Sequence, residues 1–129
     1  MSRSYRRVIL PLLFLGVIGL TACGSSGGSS ASDTRTAVDG KVDVNAKDPY
    51  SFDVKTINAQ AGPLTITLHE KGSQTHTFTI PSEDFEIKVT PSSPTATGTV
   101  TLEAGKTYDF KCSYDGHAAA GMTGKIVVS

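Results

Sequence analysis

The chain has 129 residues, of which 38% are hydrophobic and 19% are charged. This size and composition predict one ordinary folded domain and exclude both a disordered polyelectrolyte and a multi-span membrane protein. The formal net charge is zero, but residues 23–129 hold nine basic and twelve acidic groups, a net charge of −3. A weakly acidic body without a cluster of Lys and Arg argues against nucleic-acid binding, in which phosphate contacts dominate the affinity.

The N-terminal segment has the pattern of an export signal. Three arginines within the first seven residues precede an apolar run of 13 residues, Val8–Leu20, which is too short to span a hydrocarbon core of about 30 Å. The run ends in Leu20-Thr21-Ala22-Cys23, which resembles the lipobox of bacterial lipoproteins. The resemblance implies that residues 1–22 are removed and that the thiol of Cys23 is acylated (palmitate). The alternative is an ordinary signal peptide followed by a chance cysteine.

Lipid attachment would fix the compartment and the domain organisation. The mature chain is expected outside the bacterial cytoplasm, anchored to the cell membrane through its N-terminus. Residues 23–40 are rich in Gly, Ser and Thr and predict a lipidated flexible linker. The folded domain is expected over residues 41–129.

From Lys41 onward, apolar residues alternate with polar ones at a period of two, which predicts β-strands. Thr and Val are enriched there, and no segment has a helical apolar stripe. The alternating inward residues are Val42/Val44, Phe52/Val54, Leu64/Ile66/Leu68, His76/Phe78/Ile80, Phe85/Ile87/Val89, Val100/Leu102, Tyr108/Phe110/Cys112 and Ile126/Val128. A loop is expected over Pro91–Gly98. Six to eight short strands in about 90 residues predict an all-β fold, a β-sandwich.

Two chemically active side chains fall on the inward faces of these strands. His76 shares a face with Phe78, and Cys112 shares one with Phe110, whereas Thr77 is expected to point away from the core. Taken alone, an inward histidine is usually a hydrogen-bonded core residue, and an inward cysteine is usually a small apolar one.

The spacing of Cys112, His117 and Met122 changes this interpretation, because four residues separate each from the next. Together with His76 they supply two imidazoles, one thiolate and one thioether. A His₂Cys plane with a weak axial Met is the ligand set of a type 1 blue-copper site, which suits both Cu(I) and Cu(II). Zinc is the competing metal, but it has little use for a thioether.

The sequence resembles the cupredoxins over the whole region after the linker. The resemblance is carried by His76-Thr-Phe-Thr-Ile, Gly98 through Cys112, Gly116-His117 and Gly121-Met122-Thr-Gly-Lys-Ile-Val-Val. The spacing within the ligand loop is most similar to that of the auracyanins and rusticyanin. The resemblance implies a Greek-key β-sandwich that binds one copper, with His76, Cys112 and His117 as equatorial ligands and Met122 as the axial ligand.

Two departures from the family pattern concern neighbours of the ligands. Many relatives carry an Asn directly after the first histidine, where it ties the two ligand strands together, and this chain has Thr77. A Pro-Gly-His sequence is common in the ligand loop, and this chain has Asp115-Gly116-His117. Neither change removes a ligand, so both bear on the reduction potential and the rigidity of the site.

The function that the resemblance implies is the transfer of single electrons between protein partners. No enzyme activity is expected, because protein donors fill all four copper positions. Handling of copper, as a chaperone or a sequestering module, is the alternative use of the same ligands. A metal-free sandwich that acts in adhesion or as an accessory subunit is a third interpretation.

The docking surface for these partners is expected around His117. Ala118, Ala119 and Ala120 follow it in a loop of small residues and would form a shallow apolar patch, which suits brief contact. The protein is expected to act as a monomer that meets a donor and an acceptor in turn.

Overall fold

Alternating buried and exposed side chains build two β-sheets that face each other across one core. The structure, a computed structural model, describes residues 33–129. Within that range the chain forms ten strands, a single 3₁₀ turn and no α-helix. The elements are β1 (Thr34–Thr36), β2 (Lys41–Lys47), β3 (Ser51–Phe52), β4 (Thr56–Ala59), β5 (Gly62–Glu70), β6 (His76–Ile80), the 3₁₀ turn (Pro81–Glu83), β7 (Phe85–Val89), β8 (Thr95–Leu102), β9 (Thr107–Lys111) and β10 (Thr123–Val128).

The strands are divided between a six-stranded sheet, ordered β1-β4-β10-β9-β6-β7, and a four-stranded sheet, ordered β3-β2-β5-β8. Both sheets are mixed, since β4 runs parallel to β1 and β10, and β2 runs parallel to β5. The inward side chains meet in one cluster, in which the rings of Phe78 and Phe110 stack with centroids 4.5 Å apart. The predicted all-β, Greek-key sandwich is confirmed.

The N-terminal boundary of the folded region differs from the expected one. The prediction started the domain at residue 41, but β1 already pairs with β4, with Arg35 opposite Ile57. The Arg35 guanidinium also forms an ion pair with Asp53, at 2.9 Å. The segment folds without apolar alternation, because backbone pairing and this ion pair hold it in place. The linker prediction is therefore too long at its C-terminal end, and residues 1–32, including Cys23, lie outside the described residues.

Two further segments of strand were not predicted. Residues Thr95–Gly98 were expected to belong to a loop, but they form the first half of β8 and pair with β5. The four-residue strand β4, in which the buried Ile57 and Ala59 alternate with Thr56 and Asn58, was also not predicted. Both segments are strands because a neighbouring strand supplies their backbone partners.

Three strand ends meet at one end of the six-stranded sheet. His76 opens β6, Cys112 directly follows β9, and Met122 directly precedes β10. Pairing of Lys111 with Thr123 brings the last two together. No helix among residues 33–129 is long and apolar enough to cross a membrane.

Candidate metal centre

The loop from Cys112 to Met122 is closed by hydrogen bonds of its own backbone. The Cys112 N–H donates to the Met122 carbonyl at 3.0 Å, and the Met122 N–H donates to the His117 carbonyl at 3.0 Å. Gly116 and Gly121 adopt positive φ angles of 78° and 100°, a region that favours glycine. The loop therefore folds back on itself and holds its ends and His117 in one arrangement.

The structure brings His76, Cys112 and His117 together, although the first comes from a distant stretch of chain. One donor atom from each residue lies within 4.8 Å of the other two. The Cys112 Sγ is 3.4 Å from the His117 Nδ1, and the two imidazole centroids are 5.0 Å apart. All three residues are buried, and His117, with 4% of its surface exposed, is the nearest to solvent, as expected.

Met122 ends the same loop and is fully buried. Its backbone bonds to both Cys112 and His117 anchor it to two of the three clustered residues. Its role as the axial ligand stays a prediction, since a buried thioether is also an ordinary core side chain.

Thr77 ties the two ligand-bearing segments together, which is the role that the family resemblance assigns to an Asn. Its backbone N–H donates to the Cys112 Sγ at 3.4 Å, and its Oγ1 accepts the Ser113 N–H at 2.7 Å. Thr77 is only 3% exposed, yet it stays on the face of β6 that points away from the core, since its Oγ1 lies 3.2 Å from the Oγ1 of Thr79. Its polar atoms find partners on that face, and these bonds tie β6 to the segment that carries Cys112.

The donor atoms themselves indicate what the site binds. Both ring nitrogens of His76 are buried without a hydrogen-bond partner, an arrangement that costs about 1–3 kcal/mol for each unsatisfied group. Burial and the neighbouring His76 lower the pKa of His117, which keeps its imidazole in the neutral form that metals bind. A soft thiolate beside two imidazoles fits copper.

Two tyrosines outside the predicted ligand set lie against His117. The Tyr50 and Tyr114 rings have centroids 4.5 Å and 5.3 Å from its imidazole. Both tyrosines are exposed, at 40% and 48%. Tyr114 stands inside the ligand loop, whereas Tyr50 arrives from the loop between β2 and β3, and nothing in the sequence signals that approach.

Two carboxylates near His76 were also missed. The Asp48 Oδ1 lies 3.5 Å from the His76 Nε2, and the Glu70 Oε2 lies 3.8 Å from it. One signal was available for Glu70, because it continues the inward series of Leu64, Ile66 and Leu68 on β5. An acidic residue on a buried face is a marked exception to normal burial.

A buried His, Cys and His set at the end of a Greek-key sandwich defines the class of type 1 copper proteins. The chain matches the cupredoxin-like domain family over residues 13–128, and it belongs to that family. The family and the arrangement of His76, Cys112, His117 and Met122 fit one type 1 copper per chain. No match is found among curated proteins.

Solved structures share the fold. Reduced auracyanin from the photosynthetic bacterium Roseiflexus castenholzii is 20% identical, with a TM-score of 0.62 over 72% of this chain and 99% of that one. Rusticyanin from Thiobacillus ferrooxidans is 25% identical, with a TM-score of 0.56 over 75% of this chain and 82% of that one. The metal-binding domain of the Cu(I)-exporting P-type ATPase CopA of Streptococcus pneumoniae is 17% identical, with a TM-score of 0.57 over 74% and 95%. The fold alone therefore does not decide how the copper is used.

Proposed function

We propose that this protein is a membrane-tethered carrier of single electrons that holds its copper through His76, Cys112, His117 and Met122. The observation that carries the proposal is the convergence of three buried donor atoms within 4.8 Å of one another. When bound, the copper supplies a one-electron redox couple, which the mixture of soft and imidazole donors accommodates in both oxidation states.

The surroundings of the donors suit rapid electron transfer. The loop bonds within Cys112–Met122 and the bonds of Thr77 hold the donors in place. A site held in one geometry changes little between the two oxidation states, so little reorganisation opposes the transfer. Full burial of His76 and Cys112 also keeps solvent away from the metal and opposes its release.

The proposed docking surface surrounds His117. Ala119 and Ala120 are exposed and Ala118 is half-buried, so the loop directly after His117 presents small apolar side chains at the surface. The exposed Tyr50 and Tyr114 rings border it. A small patch of this kind supports brief docking of a protein donor and then an acceptor, each on a monomer of this chain.

The membrane tether is part of the proposal and is supported by the sequence. Residues 1–22 have the pattern of a signal peptide, and Cys23 follows a lipobox-like Leu20-Thr21-Ala22. The lipid chains attached to Cys23 would keep the domain at the outer face of the cell membrane.

The absorption spectrum of the copper(II)-loaded full chain tests the proposal. An intense thiolate-to-copper band that disappears on addition of ascorbate is expected. Cys112→Ser abolishes this band, whereas Cys23→Ser, which removes the other cysteine of the chain, leaves it unchanged. A folded wild-type protein without the band, or a band that survives Cys112→Ser, contradicts the proposal.

The rate at which the protein releases copper distinguishes copper handling from electron transfer. The buried donors predict that a Cu(I) chelator removes the metal much more slowly than the reduced protein is reoxidised. Release of copper that is faster than reoxidation would favour a role in metal handling.

A further inference from the structure

A pair of carboxylates faces the Nε2 of the His76 ring. The His76 Nε2 lies 3.5 Å from the Asp48 Oδ1 and 3.8 Å from the Glu70 Oε2. The side chain of Glu70 is 1% exposed, and its Oε2 has no hydrogen-bond partner. A buried carboxylate oxygen beside a buried ring nitrogen, both unpartnered, indicates an interaction that is completed when the ring is bound to metal.

The turn that follows β5 holds both carboxylates by their other oxygen. The Gly72 N–H donates to the Glu70 Oε1 at 2.6 Å. The Ser73 N–H and hydroxyl both donate to the Asp48 Oδ2, at 2.8 Å each. A Cβ at position 72 would lie 2.3 Å from the Asp48 Cγ, so this approach requires glycine. One oxygen of each acid is therefore fixed, and the other is directed at His76.

The chemistry of an imidazole ligand explains why an acceptor is needed there. A neutral imidazole has one N–H, so a ring that binds metal through Nδ1 carries its proton on Nε2. Such a proton is normally donated to a carboxylate, carbonyl or water, which fixes the orientation of the ring and makes the ligand more basic. Within residues 33–129, Asp48 and Glu70 are the acidic groups paired with His76.

We propose that Glu70, assisted by Asp48, positions His76 for copper by accepting its Nε2–H, and that the two carboxylates favour Cu(II) over Cu(I). This inference rests on the proposed function, in which His76 is a ligand. Glu70 contributes more than Asp48, because negative charge acts more strongly where water is excluded, and the side chain of Asp48 is 31% exposed. Neither acid touches the metal, so both are positioning residues.

The reduction potential of Glu70→Gln tests the inference, since Gln keeps the shape and removes the charge. We expect the affinity for Cu(II) to fall by about tenfold relative to the affinity for Cu(I), which raises the potential of a one-electron couple by about 59 mV. Asp48→Asn raises it by less. Glu103→Gln, which removes an exposed acid at the opposite end of the sandwich, leaves it unchanged. The thiolate-to-copper band persists in all three variants.

The outcomes separate this inference from the proposed function. A wild-type protein without the band overturns the proposed function, whereas a normal band with unchanged potentials in Glu70→Gln and Asp48→Asn overturns only the inference. If Glu70→Gln does not fold, an unchanged potential in Asp48→Asn is sufficient to overturn it. Binding of one equivalent of Zn²⁺ to the copper-loaded wild type, if Glu70→Gln abolishes it, also overturns the inference, because the carboxylates would then hold a cation.

Discussion

Single polar residues decide how firmly the ligands are held. Thr77 has one hydroxyl and one amide, and it uses them on Ser113 and on the Cys112 Sγ. A hydrogen bond to a thiolate lowers its electron density, and the bond to Ser113 joins the two ligand-bearing segments. One residue thus serves both the electronic state of the sulfur and the stiffness of its support.

Thr77→Val is expected to separate these two contributions. Valine keeps the branched shape and the backbone N–H but leaves the Ser113 N–H without its acceptor. We expect the free energy of unfolding to fall by about 1–2 kcal/mol, while the thiolate-to-copper band remains. Urea denaturation measures the first and absorption the second. Thr97→Val, which removes an exposed hydroxyl on the other sheet, is the control, and an equal loss in both variants would contradict the assignment.

Asp53 gives the stability of the domain a pH dependence with a definite sign. Burial alone would raise its pKa, but hydrogen bonds from Arg35 and Asn45 outweigh burial and hold the pKa below the ordinary value. The ionised form therefore stabilises the fold fully above the unfolded pKa of about 4, and the contribution is lost as the pH falls through the lower, folded pKa.

Asp53→Asn is expected to reduce the free energy of unfolding by about 2 kcal/mol at pH 7. The difference from the wild type should shrink below about pH 4, because the wild type then loses the same interactions. Urea denaturation at pH 7 and pH 3 measures it, with the exposed Asp39→Asn as the control. A difference that grows as the pH falls would show that the sign is wrong.

Among the elements, β1 is held in the sandwich by backbone pairing and charge. It pairs with β4 over three residues, and Arg35 adds its bond to Asp53. An edge strand of this length stabilises by backbone pairing and charge, since it contributes little to the apolar core. It also protects β4, which would otherwise present a free edge to other chains.

Truncation tests the place of β1 in the domain. A chain that begins at Ala37 loses the pairing and the ion pair, which together contribute about 2 kcal/mol. We expect its Tm to fall by about 10 °C relative to a chain that begins at Asp33. The latter should match the full chain, because it retains every described strand. Equal Tm values for the two truncated chains would mean that β1 is not part of the folding unit.

The elements differ in how far the sequence could predict them. Strands such as β5 and β9 alternate apolar and polar residues, so their faces, and the inward direction of His76 and Cys112, followed from a period of two. The polar strand β1 has no such signal, because backbone pairing and an ion pair hold it. Strand β4 alternates Ile57 and Ala59 with polar residues, but its four residues are too few for the alternation to stand out. The ligand loop was predictable from spacing within one segment. The approach of Asp48, Glu70 and Tyr50 was not, since it depends on how separate loops pack.

For the molecule as a whole, the chain enters the sandwich at the end that carries the ligand loop. The Asp33 carbonyl accepts bonds from the amides of Lys55 and Thr56, and the Lys55 Nζ donates to the Gly121 carbonyl at 2.6 Å. Since Cys23 precedes Asp33 by ten residues, the connection spans at most about 35 Å. A tether attached at this end would keep the patch around His117 close to partners in the same membrane.

The proposed docking patch can be tested without knowing those partners, because two copies of such an electron carrier would exchange electrons where their patches around His117 meet. Ala119→Glu places a negative charge on both patches of such a pair, and the repulsion should slow self-exchange at least about tenfold. The copper spectrum should not change. Line broadening of NMR signals in mixtures of the oxidised and reduced protein measures the rate.

The control variant Ala104→Glu adds the same charge in the exposed turn between β8 and β9, at the other end of the sandwich, and should have little effect on self-exchange. Equal slowing in both variants would reflect net charge rather than docking, and an unchanged rate in Ala119→Glu would place the contact elsewhere.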